Sequence, residues 1–337
     1  MKQEIFDITI IGAGPVGLFT AFYAQMRNAK VKVIDSLEGV GGQPSFLYGE
    51  KIIYDIPAYP AIKGKDLGEK LLQQLDLFDT CFCLGEEVQS IEQIESNLYQ
   101  LQTPKQNHLS RTIIIAAGNG AFQPRKLDLE EAANFEGKSL HYLVQDPYFF
   151  KDQTIAICGG GDSALDWALS LEPICKKIYL IHRRPQFRAM EHTVTLVEQS
   201  SVELVTPYLL KSIHTSQQGL PTLNLTKVKG TDEVTLEVDH LIVNYGFTSS
   251  IGPIKNWPLE FDRNQILVDS HLETKLPGVF AIGDIAQYPG KVRIIASGFG
   301  EAPLAVHYAL QRINPDKPIL PIHSSSIFEG AYHDTNS

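Results

Sequence analysis

The chain carries one hydrophobic pattern twice: an apolar run, a glycine-rich turn, an amphipathic stretch and a second apolar run. The two copies are 7-DITIIGAGPVGLFTAFYAQMRNAKVKVIDS-36 and 154-TIAICGGGDSALDWALSLEPICKKIYLIHRR-184. Each copy predicts a strand, a tight turn, a helix and a second strand. Because such units build parallel sheets, the pattern predicts an α/β fold that contains the unit twice.

The first glycine turn has the spacing Gly12-x-Gly14-x-x-Gly17. In such a unit the first glycine makes the tight turn, the second lets a pyrophosphate approach the backbone, and the third lets the helix pack on the strand. Asp35 ends the second predicted strand, 23 residues after Gly12, where it could accept a hydrogen bond from an adenosine ribose. The turn therefore predicts dinucleotide binding, with a purely structural turn as the alternative.

The second turn has the related G-x-G-x-x-A form, but His182 stands where the first copy has Asp35, and arginines follow it. Arginine offers forked donors to a 2′-phosphate, whereas an acid repels one, so this copy predicts NADPH and not NADH. An exposed surface cluster is the alternative interpretation. The expected contacts are Gly159, Gly161, Asp162, Ser163, Ala164, His182, Arg183, Arg184 and Arg188.

Composition limits the function classes. A chain of 337 residues is longer than one hydrophobic core usually serves, so we expect two domains. No uncharged apolar run approaches the roughly 20 residues that span a bilayer, and we expect a cytoplasmic protein. The formal net charge of −10 argues against general nucleic-acid binding, while a local basic patch for one partner stays open.

The four cysteines are Cys81, Cys83, Cys158 and Cys175. They contain no C-x-x-C pair and no zinc-like spacing, so we expect free cysteines and no metal site. Cys81 and Cys83 would point to the same face of a strand.

A third motif brings in a family resemblance. The segment 276-LPGVFAIGDIA-286 resembles the second FAD motif of the two-dinucleotide flavoprotein reductases, while 112-TIIIAAGNG-120 and 241-LIVNYGF-247 resemble their crossover strands. The resemblance implies two Rossmann-like dinucleotide-binding domains. The FAD domain would comprise residues 1–117 and 248–337, and the NADPH domain, residues 118–247, would be inserted into it.

Within these reductases the motif order resembles thioredoxin reductase, but 144-VQDP-147 stands where that enzyme has its C-x-x-C dithiol. The chain is similar nearly end to end to the thioredoxin-reductase-like ferredoxin–NADP reductases. The segments that carry this resemblance include 41-GGQPSFLYGEKIIYDIPAYP-60, 283-GDIAQYPGKVRIIASGFGEAP-303 and 322-IHSSSIFEG-330.

This resemblance implies further cofactor contacts. Tyr48 would stack on one face of the flavin, although a core tyrosine is the plainer interpretation. In this family the C-terminal tail reaches the flavin of the partner subunit, so the resemblance implies a homodimer. His323 would cover the flavin face opposite the tyrosine, with Phe328 beside it. A solvated C-terminus is the alternative interpretation. The implied FAD contacts beyond the glycine turn are Asp35, Gln43, Tyr48, Val88, Phe122, Asp284 and Ser325.

The implied activity is hydride transfer from NADPH to FAD, followed by single-electron transfer to ferredoxin or flavodoxin, reversible in principle. No acid–base residue is needed, because the protein supplies orientation and shielding. An acidic acceptor would need a basic docking patch, for which Lys255, Arg293 and Lys291 are the candidates. The alternatives are a thiol, quinone or ferric reductase, an NADPH oxidase, and a non-enzymatic flavin redox sensor.

Overall fold

The computed structural model describes residues 4–144, 146–216 and 219–316. They form two compact units: a flanking unit, Met1–Ala121 with Ser249–Ser337, and an inserted unit, Phe122–Thr248. The family resemblance predicts domain boundaries at residues 117/118 and 247/248.

The flanking unit begins with most of its strands and three of its helices. The strands are β1 (Ile5–Ile11), β2 (Val31–Asp35), β3 (Ile52–Ile53), β4 (Ile62–Lys63), β5 (Cys81–Leu84), β6 (Ser90–Glu95), β7 (Leu98–Gln102) and β8 (Asn107–Ile115). The helices are α1 (Pro15–Met26), α2 (Gly42–Tyr48) and α3 (Gly64–Leu75).

The middle of the chain supplies the next ten strands, two α-helices and two 3₁₀ turns. The strands are β9 (Ala121–Pro124), β10 (Leu140–His141), β11 (Thr154–Gly159), β12 (Lys177–Ile181), β13 (Glu203–Val205), β14 (Tyr208–Thr215), β15 (Pro221–Lys227), β16 (Glu233–Glu237), β17 (His240–Asn244) and β18 (Phe247–Ser250). The helices are α4 (Asp162–Leu171) and α5 (Glu191–Gln199), and the 3₁₀ turns are Glu130–Asn134 and Pro147–Phe150.

The last part returns to the flanking unit. Its elements are the 3₁₀ turn Gly252–Asn256, β19 (Phe261–Asp262), β20 (Gln265–Leu267), β21 (Val279–Ala281), the 3₁₀ turn Gly283–Ile285, β22 (Ala286–Gln287) and α6 (Ile295–Ile313). Small sheets join β3 with β4, β9 with β18, and β19 with β20 and β22.

The main sheet of the flanking unit has the order β5-β2-β1-β8-β7-β6. Strands β5, β2, β1 and β8 are parallel, while β6, β7 and β8 form an antiparallel meander. Strand β8 also pairs with β21 through Ile113–Ile115. Ile8 and Ile10 pack with the helices on one face, and Ile11 with Tyr99 of the meander on the other. Both faces are covered, which explains the continuous apolar run of β1.

The inserted unit repeats this plan with a five-stranded parallel sheet of order β10-β17-β11-β12-β13 and a separate antiparallel sheet β14-β15-β16. Along β11, Ile155 and Ile157 pack with α4, while Ala156 and Cys158 pack with residues of the antiparallel sheet. The predicted α/β fold with two strand–turn–helix–strand units is confirmed. Among the described residues, no helix combines the length and the apolar character needed to cross a membrane.

Candidate functional site

The first glycine turn joins β1 to α1. Gly12 has φ +112°, and a Cβ there would lie 2.4 Å from the carbonyl oxygen of Ala116. A Cβ at Gly17 would lie 1.9 Å from the Gly12 carbonyl oxygen, so this glycine permits the close packing of helix on turn. A Cβ at Gly14 would meet only Gly42, at 3.9 Å. The backbone at Gly14 is therefore open to the approach of a phosphate group.

Asp35 lies at the end of β2, beside this turn. The backbone N–H of Ala13 donates to its Oδ2 at 2.6 Å, and that of Leu37 donates to its Oδ1 at 2.8 Å. Burial raises the pKa of Asp35, while both hydrogen bonds favour the charged form. Because a carboxylate oxygen can accept more than one hydrogen bond, Asp35 can also accept from a ribose hydroxyl.

Two other loops meet the first glycine turn. The Gly41 N–H donates to the Ala13 carbonyl oxygen at 2.8 Å, and a Cβ at Gly42 would lie 2.8 Å from the Gly14 Cα. Gln43 follows in the first turn of α2. The loop after β5 passes the end of β2, where the Glu86 N–H donates to the Asp35 carbonyl oxygen at 2.9 Å, and it leads to the buried Val88.

Asp284 reaches the same region from the last part of the chain. A Cβ at the preceding Gly283 would lie 3.6 Å from the side chain of Val16 in α1. Burial raises the pKa of Asp284, and burial together with the Asp284 charge raises the pKa of Tyr48. The flanking unit therefore brings Asp284 into electrostatic contact with Tyr48.

Glu301 of α6 holds this turn in place, although it belongs to none of the sequence motifs. Its Oε2 accepts from the Gly283 N–H at 2.7 Å, while its Oε1 accepts from the Tyr288 hydroxyl at 2.6 Å and from Lys291. The signal in the sequence was an acid inside the otherwise apolar stretch 295-IASGFGEAPLAV-306. An acid in such a stretch needs buried partners.

The prediction that Lys291 belongs to an exposed docking patch is wrong. Its side chain is only 1% exposed and forms a buried ion pair with Glu301. The other two candidates, Arg293 and Lys255, are exposed, and their docking role stays a prediction.

The second glycine turn joins β11 to α4. A Cβ at Gly159 would lie 2.6 Å from the Cβ of Ala164, so glycine is needed where the buried Ala164 packs. A Cβ at Gly160 would lie 2.2 Å from the ring of His182, which also stacks on Phe187 with ring centroids 5.4 Å apart. The imidazole of His182 therefore packs directly against the backbone of the turn.

The segment after His182 folds back onto this turn. The Arg188 N–H donates to the Gly160 carbonyl oxygen at 2.6 Å, and the Met190 N–H donates to Asp162 Oδ1 at 3.0 Å. Ser163 lies exposed in the first turn of α4.

The electrostatic field at His182 is positive. Its pKa is lowered by burial and, in addition, by the charges of Arg183, Arg184 and Arg188, all three of which are exposed. Such a field suits a phosphate group.

Two buried polar atoms at the second turn lack partners. His182 Nε2 and Asn244 Nδ2 form no hydrogen bond with any described residue. Asn244 ends β17, and its carbonyl oxygen would lie 2.7 Å from a Cβ at Gly159. Since buried polar groups are normally satisfied, the residues fit a bound ligand that supplies these hydrogen bonds.

Some predicted residues fall elsewhere. Phe122 belongs to the inserted unit, where its ring packs edge-on against Phe247 with centroids 5.9 Å apart. His323, Ser325 and Phe328 lie outside the described residues.

The cysteine of the second turn is unsuited to thiol exchange. Cys158 is fully buried, and burial raises its pKa to about 12. The attacking species in thiol–disulfide exchange is a thiolate, so this thiol is a poor candidate for an electron relay.

Comparison with known proteins defines the class. The pyridine nucleotide-disulphide oxidoreductase family model matches residues 6–309, and the chain belongs to this family. Thioredoxin reductases from Lactococcus lactis and T. acidophilum have the same fold, with TM-scores of 0.70 and 0.72 at 24% and 22% identity. The match to the Lactococcus lactis protein covers 91% of this chain and 99% of that chain. The match to the T. acidophilum protein covers 93% of this chain and 100% of that chain.

Two relatives that match over nearly their full length indicate which members of this family the chain resembles. Ferredoxin–NADP reductase 2 of Listeria monocytogenes serotype 4b (strain F2365) is 51% identical over 328 residues, 97% of this chain and 99% of that protein. Ferredoxin–NADP reductase 2 of Bacillus subtilis (strain 168) is 51% identical over 326 residues, 97% of this chain and 98% of that protein. The chain is thus an oxidoreductase, and its predicted resemblance to the thioredoxin-reductase-like ferredoxin–NADP reductases is confirmed.

Proposed function

We propose that the protein is a ferredoxin–NADP reductase whose flanking unit binds FAD and whose inserted unit binds NADPH. One observation carries the proposal: the two glycine turns are alike, but the residue 23 positions after the first glycine, at the end of each second strand, differs. That position holds the Asp35 carboxylate in the first unit and His182, with arginines beside it, in the second. The names of the full-length relatives support the same assignment.

In the flanking unit, the turn from Gly12 to Gly17 receives the FAD pyrophosphate and Asp35 binds the adenosine ribose. Tyr48 shields one face of the flavin, and Asp284, fixed through Glu301, binds the ribityl chain. Gln43 and Val88 are the further contacts proposed for this unit from the resemblance. FAD, when bound, accepts a hydride from the nicotinamide and returns the two electrons singly.

In the inserted unit, the turn from Gly159 to Ala164 receives the NADPH pyrophosphate at the start of α4. The arginines Arg183, Arg184 and Arg188 bind the 2′-phosphate, which separates NADPH from NADH. The protein orients both nucleotides and shields the reacting atoms from water, and it needs no proton-transfer residue for the redox step.

The acceptor is a one-electron carrier, ferredoxin or flavodoxin. Thiol reduction is disfavoured because 144-VQDP-147 contains no sulfur and Cys158 is buried with a raised pKa. The similarity of 322-IHSSSIFEG-330 to the tail of these reductases supports a homodimer in which His323 and Ser325 reach the partner subunit's flavin.

Anaerobic stopped-flow spectroscopy of the flavin-loaded protein tests the proposal. NADPH should bleach the flavin much faster than NADH, and ferredoxin or flavodoxin should then reoxidise it, whereas a thioredoxin disulfide should not. Equal rates with both nucleotides would refute the arginine assignment. Fast reoxidation by the disulfide would refute the acceptor, and slow reduction by both nucleotides would favour a redox sensor.

A further inference from the structure

A compact cluster of metal-ligand side chains lies in the flanking unit, between the parallel sheet and the meander. It consists of Cys83 of β5, Glu86 of the following loop and His108 of β8, and we call it the Cys83 cluster. One ligand atom from each lies within 4.8 Å of the others. Glu86 is 6% and His108 is 1% exposed, and Cys83 is partly buried.

We propose that the Cys83 cluster binds a divalent cation of zinc-like preference. Thiolate, imidazole and carboxylate ligands together are the set that Zn²⁺ prefers. His108 is far from the other two ligands in sequence, which explains why no metal-binding motif indicates the site. A cation here would join the edge strand β5 to the start of β8.

The carboxylate of the cluster is held in place by neighbours. Thr103 Oγ1 donates to Glu86 Oε2 at 2.7 Å, and Gln106 Nε2 donates to Glu86 Oε1 at 3.3 Å. Outer hydrogen bonds of this kind orient ligands in metal sites and increase their affinity.

Lys32 is the group that competes with the cation. Its Nζ lies 3.1 Å from His108 Nδ1, and His108 Nε2 lies 3.1 Å from Glu86 Oε2. An ammonium group can only donate, so Nδ1 accepts from Lys32 and the Nε2–H donates to Glu86. A cation at Nε2 must replace that proton.

The exchange balances without any change of oxidation state. The Nε2 proton leaves to solvent as the metal–Nε2 bond forms, while the proton between Lys32 Nζ and His108 Nδ1 stays in their hydrogen bond. The Cys83 thiol proton also leaves to solvent as the metal–sulfur bond forms. The positive charge of Lys32 beside the imidazole therefore opposes binding of the cation.

Equilibrium dialysis of the reduced, flavin-loaded protein against buffered Zn²⁺, with metal counted by mass spectrometry, tests the site. Wild type should bind one cation per chain. Cys83→Ser and His108→Asn each remove a ligand and should weaken binding by more than about 100-fold. Loss of a hydrogen bond to a ligand, by comparison, weakens metal binding by about 10–100-fold. Cys175→Ser, which removes a partly buried thiol in the inserted unit, should bind as wild type does.

Two further variants keep all ligands and so guard against misfolding. Thr103→Val should weaken binding by about 10–100-fold. Lys32→Met should strengthen it by about tenfold or more, because a cation is removed beside the metal. The proposal is overturned if neither wild type nor Lys32→Met binds one cation per chain, or if Cys83→Ser and His108→Asn bind as tightly as wild type.

Discussion

The buried Lys291–Glu301 ion pair makes a quantitative prediction about the flavin-side turn. Replacing Lys291 with Met leaves the Glu301 carboxylate charged and 7% exposed, and among the described residues only the Gly283 N–H and the Tyr288 hydroxyl then donate to it. Removing one partner of a buried pair costs about 3–5 kcal/mol. Because two neutral donors remain, we expect the lower end, about 3 kcal/mol, which is roughly a hundredfold in the unfolding constant.

The assay is equilibrium unfolding in urea at fixed protein and FAD concentrations. The matched control is Lys63→Met, which breaks the exposed pair of Lys63 with Glu50, where the side chains are 49% and 33% exposed. An exposed pair contributes at most about 1 kcal/mol, so this control should lose little stability. In the double variant Lys291→Met with Glu301→Gln the buried charge disappears, and the loss should be smaller than the sum of the single losses.

The reasoning fails if Lys291→Met is no less stable than Lys63→Met. A second outcome would also refute it: unchanged stability with a slower, less salt-dependent rate of electron transfer to ferredoxin. That result would indicate that Lys291 takes part in docking the acceptor, which requires its ammonium group to be exposed.

Three other predictions concern the nucleotide sites and the pH dependence of stability. Arg183→Gln should raise KM for NADPH by about 10–100-fold through loss of a charged hydrogen bond, with little change for NADH, as steady-state kinetics would measure. The control is Lys211→Gln, which removes an exposed positive charge from β14 and should leave both KM values unchanged. Asp35→Ala should weaken FAD retention about tenfold, measured by flavin fluorescence after ultrafiltration. Burial and His240 lower the pKa of His141 to about 4. The neutral form is therefore favoured in the folded state, and stability should fall by about 1–2 kcal/mol, discounted for partial exposure, as pH drops from about 6.5 to 4. His141→Asn should make stability less dependent on pH across that range in unfolding measurements, while His240, whose pKa is also lowered, still contributes.

Local features of the sequence predicted the parts of the fold that depend on local geometry. Gly12 and Gly159 mark turns where a side chain would strike the backbone, and this requirement appears in the sequence as a fixed spacing. The apolar runs of β1 and β11 were also predictable from the sequence, because strands whose two faces are both covered need apolar residues on both sides.

Partners that come from distant segments were not predictable by the same means. The sequence around Lys291 predicts a surface lysine, but in the folded chain α6 places Glu301 beside it as a buried ion-pair partner. His108 meets Cys83 only because the meander packs on the face of the parallel sheet. Pairing of this kind depends on tertiary packing, to which spacing along the chain gives no direct guide.

Two similar turns in one chain create a risk of binding the wrong nucleotide, and under the proposed function the charged residues that follow each turn oppose it. At the first turn, the 2′-phosphate of NADPH would meet the Asp35 carboxylate, whose oxygens already accept from Ala13 and Leu37 and cannot turn away without losing these bonds. At the second turn, FAD has no 2′-phosphate to offer the arginine cluster beside His182. Under the proposed function, one position after each glycine turn therefore separates the two nucleotides. Asp35→Asn should relax this selection by letting NADPH compete with FAD for the flanking unit, which displacement of FAD by excess NADP⁺ would measure. If NADP⁺ displaces FAD no better from this variant than from wild type, the selection lies elsewhere in the turn.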